Sequence, residues 1–294
     1  MSTGTDARIH NIGYRSYSGE RLGVSHARRA LFTHSLRGSF GLGRSARSKV
    51  LPMGLFAIMM APALVMVAIA AFVGLDELPI EYTSYALFMQ PIVGLYIALA
   101  APQMVSLDLR YKVTPLYFSR PIERGDYVAA KYAALSSAIF LFVALPLVIA
   151  YVGGLLAELG FADQTKGFAQ GLVISVVFSL MHAAIALWVA SLTPRRGFGV
   201  AAVIGVLTIP YFAVTAIQAV AYDAGSEETL GWIGIFSPGS VIDGIQSAFL
   251  GGTSGYPFEE PPTDIAGVAL LATAVLVTVA CYLLLGRRYR KAGL

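Results

Sequence analysis

Six stretches of this chain, Leu51 to Leu75, Tyr82 to Leu107, Tyr132 to Ala157, Gly167 to Pro194, Gly197 to Tyr222 and Ile265 to Gly286, contain no Asp, Glu, Lys or Arg. Each is long enough to cross a hydrocarbon core of about 30 Å, because about 20 apolar residues rising about 1.5 Å apiece suffice. A charge at the centre of a span costs about 2.5 to 3.5 kcal/mol on insertion, and none of the six carries one. The pattern predicts an all-α polytopic membrane protein of six transmembrane helices. It divides the chain into a cytoplasmic arm and basic interfacial helix over 1–50 and one six-span membrane domain over 51–294. An even number of spans puts both termini on the same side.

The charges that lie between the stretches choose the side. Of 21 Lys and Arg residues, 20 fall in the N-terminal arm, the second and fourth loops and the tail, all of which share one face. That face carries 5 acidic residues and the other 12, so the formal +4 separates into +15 and −11. Basic residues close to span ends stay inside, which places both termini in the cytoplasm. The basic pI needs no nucleic-acid partner, and none is expected. Composition agrees: 56% hydrophobic and 13% charged is far from the soluble average of about 45–50% and about 25%. About 50 polar and basic residues precede the first apolar run, which is itself too long for a leader, so no cleavable signal is expected. Cys281 lies inside the last stretch, alone of its kind, and reads as a small buried apolar side chain.

Met1 to Gly23 reads as a loose cytoplasmic arm. From Ser25 to Phe40 the spacing turns helical, with Phe32, Leu36 and Phe40 at i, i+4, i+8 beside Arg28, Arg29 and Arg37. A basic helix with one apolar stripe suits the membrane interface, its Arg heads toward anionic headgroups; a solvated basic linker is the alternative. Gly38 to Ser45 comes one residue short of the phosphate-cradling GxxxxGK[ST] pattern, with Arg44 in the Lys position. No strand precedes it, so a flexible Gly-rich hinge is the expectation rather than a nucleotide site.

The second loop, Asp108 to Lys131, is amphipathic and punctuated. Pro115 and Pro121 restart the chain, and Glu123 places a negative charge in the first turn after Pro121. Gly125 is expected to stop that turn, and Asp126 to cap the third span. Leu116, Tyr117, Phe118, Ile122 and Tyr127 interleave with Arg120, Arg124 and Lys131. Such a short structured element at the cytoplasmic surface is built to dock a partner, although a loop lying on headgroups fits the composition too.

With this loop, the six spans and the basic arm, the chain resembles the ABC type-2 (export class) transporter permeases. The sharpest match is Leu116 to Lys131, above all Ser119-Arg-Pro and the spacing of Arg124, Tyr127 and Lys131; the family often has Gly-Thr-Leu just before, where this chain has Val113-Thr-Pro. The resemblance implies that the loop is a coupling helix between spans 2 and 3 that fits a cleft on a separate cassette ATPase. Its interface would be Arg110, Leu116, Tyr117, Arg120, Pro121, Glu123 and Arg124. It also implies a dimer with a second permease copy or a paralogue, and ATP with magnesium bound by the partner ATPase, none in this chain.

The outer loop from Asp223 to Asp264 holds two uncharged runs, Thr229 to Ile242 and Gly244 to Phe258, flanking Asp243. They are too short to span and too apolar for a solvated loop, which suggests a re-entrant outer hairpin of two half-helices, the second opened by Ser237-Pro238. A compact extracellular cap is the alternative. Within the spans, His182 has Ser175 and Ser179 on a similar face. An intramembrane ionisable group is a functional candidate, either hydrogen-bonded at a helix interface or lining a substrate path with Gln90 and Gln218. No HExxH or GxSxG motif occurs, and neither a catalytic nor a metal site is expected. Pro91, Pro102, Pro146 and Pro210 are candidate bends, and Gly197, Ala201 and Gly205 form a small-residue row suited to close helix packing, within the subunit or else across a dimer.

The expected function is that of a multi-pass permease subunit of an ATP-driven exporter in a bacterial inner membrane. Its partners would be a cassette ATPase, a second permease and membrane lipids, and its substrate a small amphiphilic or hydrophobic molecule. An ion-gradient-driven carrier would ordinarily need intramembrane carboxylates, and a non-transporting scaffold with a permease-like fold is the third possibility.

Overall fold

A computed structural model describes residues 22–43, 45–118, 122–257 and 261–292, with isolated positions 13, 18 and 19. Helices α1 (Val24–Ser39), α2 (Ala46–Val73), α3 (Tyr85–Phe88), α4 (Gln90–Arg110), α5 (Thr114–Phe118), α6 (Arg124–Leu156), α7 (Phe161–Ser191), α8 (Arg196–Asp223), α9 (Leu230–Gly234), α10 (Pro238–Leu250) and α11 (Asp264–Ala292) account for most of them, and no strand occurs among the described residues. Six of these, α2, α4, α6, α7, α8 and α11, are long and apolar enough to cross a membrane. Most of Met1 to Gly23, Arg44, and Ser119 to Pro121 lie outside the described residues.

The spans coincide with the six uncharged stretches, with two corrections. The second stretch is broken at its outer end: α3 stops at Phe88 and α4 starts afresh at Gln90. Pro91 occupies the first turn of α4, where its missing N–H is harmless, so it starts a helix rather than bending one. The third span reaches back to Arg124, and Gly125 lies inside it instead of ending a preceding turn. Asp126 supplies the cap, accepting the Glu123 N–H at 3.3 Å, with Glu123 as the N-cap residue. Pro102, Pro146 and Pro210 are interior to their helices, as are Pro52 and Pro62 of α2.

The centre of the bundle is α7, with 67% of its span buried against 17% for α8. It packs on α4, α6, α8, α10 and α11. Its composition permits this, because Ala183, Ala184, Ala186 and Ala190 let neighbours approach closely, and its buried serines bond within the helix itself. Ser175 Oγ donates to the Gly171 carbonyl and Ser179 Oγ to the Ser175 carbonyl, both at 2.6 Å. On the other side of the bundle Tyr96 stacks on Phe142 at 4.2 Å between ring centroids, and Phe40 and Phe56 extend the aromatic core.

The expected small-residue row of α8 does not pack within the subunit: a Cβ on Gly197 would meet nothing, and one on Gly205 would meet only Ile209 of the same helix. Gly199 makes the close approach instead, against Pro102 and Ser106 of α4, because the buried stripe of α8 runs Gly199, Val203, Leu207, Val214 and Gln218. Helix α1 also differs in detail. Leu31, Ser35 and Ser39 are its most buried residues, with Phe32, Leu36 and Phe40 at the margins, and it packs on α6 and α4. The apolar stripe is therefore turned onto the protein.

An elbow joins α1 to α2. It requires glycine at Gly41, whose φ is 69° and whose Cβ would lie 2.3 Å from the Ser48 carbonyl oxygen. Gly43 is also left-handed, at 82°, with open space around it. Gly43→Ala should therefore cost only the left-handed backbone penalty, about 1–2 kcal/mol, while Gly41→Ala should cost distinctly more. The measurement is the thermal midpoint of the two variants in detergent, with the Gly41 variant expected to unfold at the lower temperature.

Candidate functional site

The 108–131 loop is anchored at both ends by one charge cluster. Helix α4 ends in a 6→1 turn in which the Val113 N–H donates to the Asp108 carbonyl at 3.1 Å, with Lys112 in the left-handed region at φ 51°. This reversal leaves the Asp108 carboxylate facing the first turns of α6. There Lys131 Nζ meets Asp108 Oδ2 at 2.9 Å, and the Tyr127 hydroxyl donates to the same oxygen at 2.6 Å. Lys131 and Tyr127 are almost fully buried, at 4% and 0% exposure. An uncompensated ammonium there would be costly, and the Asp108 pairing with its added hydrogen bond offsets that.

Tyr127 joins three further elements to this cluster. Tyr117 and Phe118 of α5 lie over its ring at 5.5 and 6.0 Å, and Tyr289 of α11 lies at 4.8 Å. The Tyr289 hydroxyl points to the Val105 carbonyl of α4 at 3.5 Å. Arg124 donates to the Arg290 carbonyl at 3.1 Å and lies 5.7 Å from the Phe118 ring centre. Asp126, besides capping α6, pairs with Arg28 of α1 at 2.8 Å. Thus the loop helix α5, the interfacial-type helix α1 and three spans meet around Asp108, Tyr127 and Lys131.

Of the interface residues expected from the sequence, Tyr117, Glu123 and Arg124 are in this assembly. Leu116 is exposed on α5, at 67%. Arg110 lies in the last turn of α4, its guanidinium 5.7 Å from the Tyr111 ring. Arg120 and Pro121 lie outside the described residues. Sequence reasoning passed over Asp108 and Tyr289. The signal was present as an acid beside an otherwise basic span end and a Tyr in the basic tail, but only tertiary contact gives it meaning.

The intramembrane candidates do not converge. His182 is buried at 1% exposure in the core of α7, with Nδ1 2.9 Å from the Phe178 carbonyl and its ring on that of Phe178. Gln218 donates to the Leu230 carbonyl at 2.8 Å, tying α8 to α9. Gln90 opens α4 beside Gly239 of α10.

At the opposite, acidic end, the 223–264 segment holds a 3₁₀ turn (Glu227–Thr229) and the single-turn α9, followed by α10, which opens at Ser237-Pro238 as expected and carries Asp243 within it. Pro238 is at its start, with the Ser240 N–H donating to the Ser237 hydroxyl at 3.3 Å. Asp243 accepts from Gln246 Nε2 at 2.9 Å and from the Gly255 N–H at 2.9 and 3.0 Å, which folds the 251–257 strap back onto α10. Glu81 holds the same strap through the Thr253 N–H and hydroxyl at 2.7 and 2.8 Å. Glu81, Tyr211 and Asp243 line an outer cleft of about 440 Å³.

Lys131→Met should destabilise the protein by about 3–5 kcal/mol by stranding Asp108, and adding Asp108→Asn should restore much of that loss; detergent unfolding of the single and double variants measures it. Burial pushes the Asp243 carboxyl up to about 6, outweighing the hydrogen bonds from Gln246 and Gly255. Its folded pKa lies above the unfolded value of about 3.9, so its contribution to stability is fully present below pH 4 and is lost as pH rises to 6. Asp243→Asn should flatten the thermal midpoint across that window while the wild type declines.

The profile of the ABC-2 family transporter proteins matches residues 54–242, most of the six-span bundle together with the 108–131 loop and the start of α10. No curated protein matches the chain. The matched segment covers more than half of the sequence, and the chain belongs to the ABC-2 family of transporter membrane proteins.

Proposed function

We propose that this chain is the permease subunit of an ATP-driven exporter, with ATP and magnesium held by a separate cassette ATPase that docks on the basic face at α5 and the start of α6. Family membership supports the permease role. The observation that carries the ATPase docking is the junction at Tyr127: α5 can move only with Tyr117 and Phe118, which rest on a residue hydrogen-bonded to α4, stacked on α11 and built into α6. A push on α5 thus reaches the second, third and sixth spans at once. Leu116 and Arg110 extend the docking face. The sparse polar content of the spans favours an amphiphilic or hydrophobic substrate.

In this reading the basic face is cytoplasmic, which the charge distribution supports, and the membrane is the bacterial inner membrane. A second permease copy or a paralogue covers α8, whose outward Phe198, Ile209, Phe212, Ile217 and Val220 form the least covered face of the bundle. The acidic-end strap with Pro238 and Asp243 forms part of the exit, with Gln90 and Gln218 beneath it and His182 deeper in the core.

The test is to purify the tagged chain with its partners and measure vanadate-sensitive ATP hydrolysis and its stimulation by the permease. Leu116→Asp and Arg124→Glu are expected to reduce stimulation by at least about tenfold, the effect of losing about 1.4 kcal/mol of interface energy, while insertion remains normal. Full stimulation in both variants would remove α5 as the docking element, and recovery of the chain without an ATPase would remove the exporter assignment.

A further inference from the structure

A small, partly open cleft of about 240 Å³ lies at the basic end of the spans, between the end of α1, the first two turns of α2, the middle of α4 and the start of α8. Its polar lining is Ser39, Arg47, Ser48, Tyr96, Gln103 and Arg196. No carboxylate lines it, and neither arginine forms an ion pair among the described residues. Two long helices begin here without a side-chain cap, α2 at Ala46 and α8 at Arg196. Their first-turn N–H groups and dipoles add to the positive potential.

Tyr96 gives this charge a target. It is 1% exposed, and its hydroxyl has no well-formed hydrogen-bond partner among the described residues, while Ser39 beside it donates to the Leu36 carbonyl at 2.7 Å. A buried hydroxyl left unpaired costs about 1–3 kcal/mol, so a ligand oxygen at this point would be stabilising. Gln103 is already committed, donating to the Gly38 carbonyl at 2.7 Å and fixing the elbow that forms one wall.

We propose that this cleft binds a phosphate group at the membrane surface, that of an acidic phospholipid wedged between the first, second and fifth spans. Arg47 and Arg196 form charge-assisted bonds to the phosphate oxygens, and Tyr96 donates a third bond from below. The apolar flank of Leu51, Pro52 and Leu99 receives the start of the acyl chains. The elbow, α4 and α8 are thereby held together by a component of the bilayer. The site stands independently of the ATPase assignment.

The experiment is native mass spectrometry of the full chain in nonionic detergent, titrated with phosphatidylglycerol and, separately, phosphatidylcholine. One phosphatidylglycerol is expected to bind in preference, with Arg47→Gln/Arg196→Gln weakening it by at least about tenfold and Tyr96→Phe by about threefold. Arg29→Gln/Arg37→Gln, on the exposed face of α1, should leave binding unchanged. Equal binding by the wild type and the Arg47/Arg196 variant overturns the site, as does an equal loss in the Arg29/Arg37 variant, which would mean diffuse surface attraction. If the double variant does not fold, Tyr96→Phe decides alone, and unchanged affinity there overturns the proposal. Displacement of the lipid by millimolar inorganic phosphate would confirm the phosphate contacts and identify a soluble anion as an equal occupant.

Discussion

In a hydrocarbon environment a polar group is costly unless it finds a partner inside the protein, and the organisation of this chain rests on that constraint. Along α7 the solution is local: Ser175 and Ser179 each turn toward a carbonyl one helical turn earlier, so the most buried helix of the bundle carries these hydroxyls without needing a facing partner. The hydroxyls thereby leave the outer surface of α7 to alanines, and that surface lets five other helices close around it. Where a polar group cannot bond within its own helix, it joins two elements. Ser106 reaches the Ala190 carbonyl at 2.7 Å, and Tyr85 reaches the Met59 carbonyl one turn before Pro62 inside α2.

The two ends of the bundle use charge in opposite ways. At the basic end, Asp108 is surrounded by Lys131 and Tyr127, and Asp126 by Arg28 and the α6 N-terminus, so acids are the minority species and act as junctions. At the acidic end, Glu81 and Asp243 hold backbone N–H groups of the 251–257 strap instead of cations. Removing an acid from the basic end strands a positive charge, whereas removing one from the acidic end frees a loop. The first arrangement joins helices to one another, and the second holds a loop against a surface.

Several helix ends illustrate how far local sequence reaches. Gly74 and Gly225 terminate α2 and α8 in the left-handed region, as a glycine after an apolar run suggests. Lys112 and Glu158 adopt the same conformation at the ends of α4 and α6, and no residue type announces it. At Lys112 the turn is imposed by tertiary contact, because it brings the Asp108 carboxylate onto Lys131 and Tyr127 of α6. The same limit applies to Gly125, a helix-stopping residue by propensity that is carried inside α6 because Glu123 and Asp126 cap the helix before it.

The sequence by itself determined the class of the protein and the separation of basic from acidic loops onto opposite ends of the bundle. Both depend on quantities that add along the chain: hydropathy over about 20 residues and the count of basic residues near span ends. Span positions, the helical 24–39 segment and a structured 108–131 loop were legible for the same reason. The tertiary structure alone decided which faces meet. The stripe of α8 that packs is Gly199 and Val203 rather than Gly197 and Ala201, and the charges that matter beneath the loop are Asp108 and Lys131. A helix that is apolar all round has no polar side to mark which face turns inward, so facing is chosen by shape and by a few polar contacts between residues far apart in sequence.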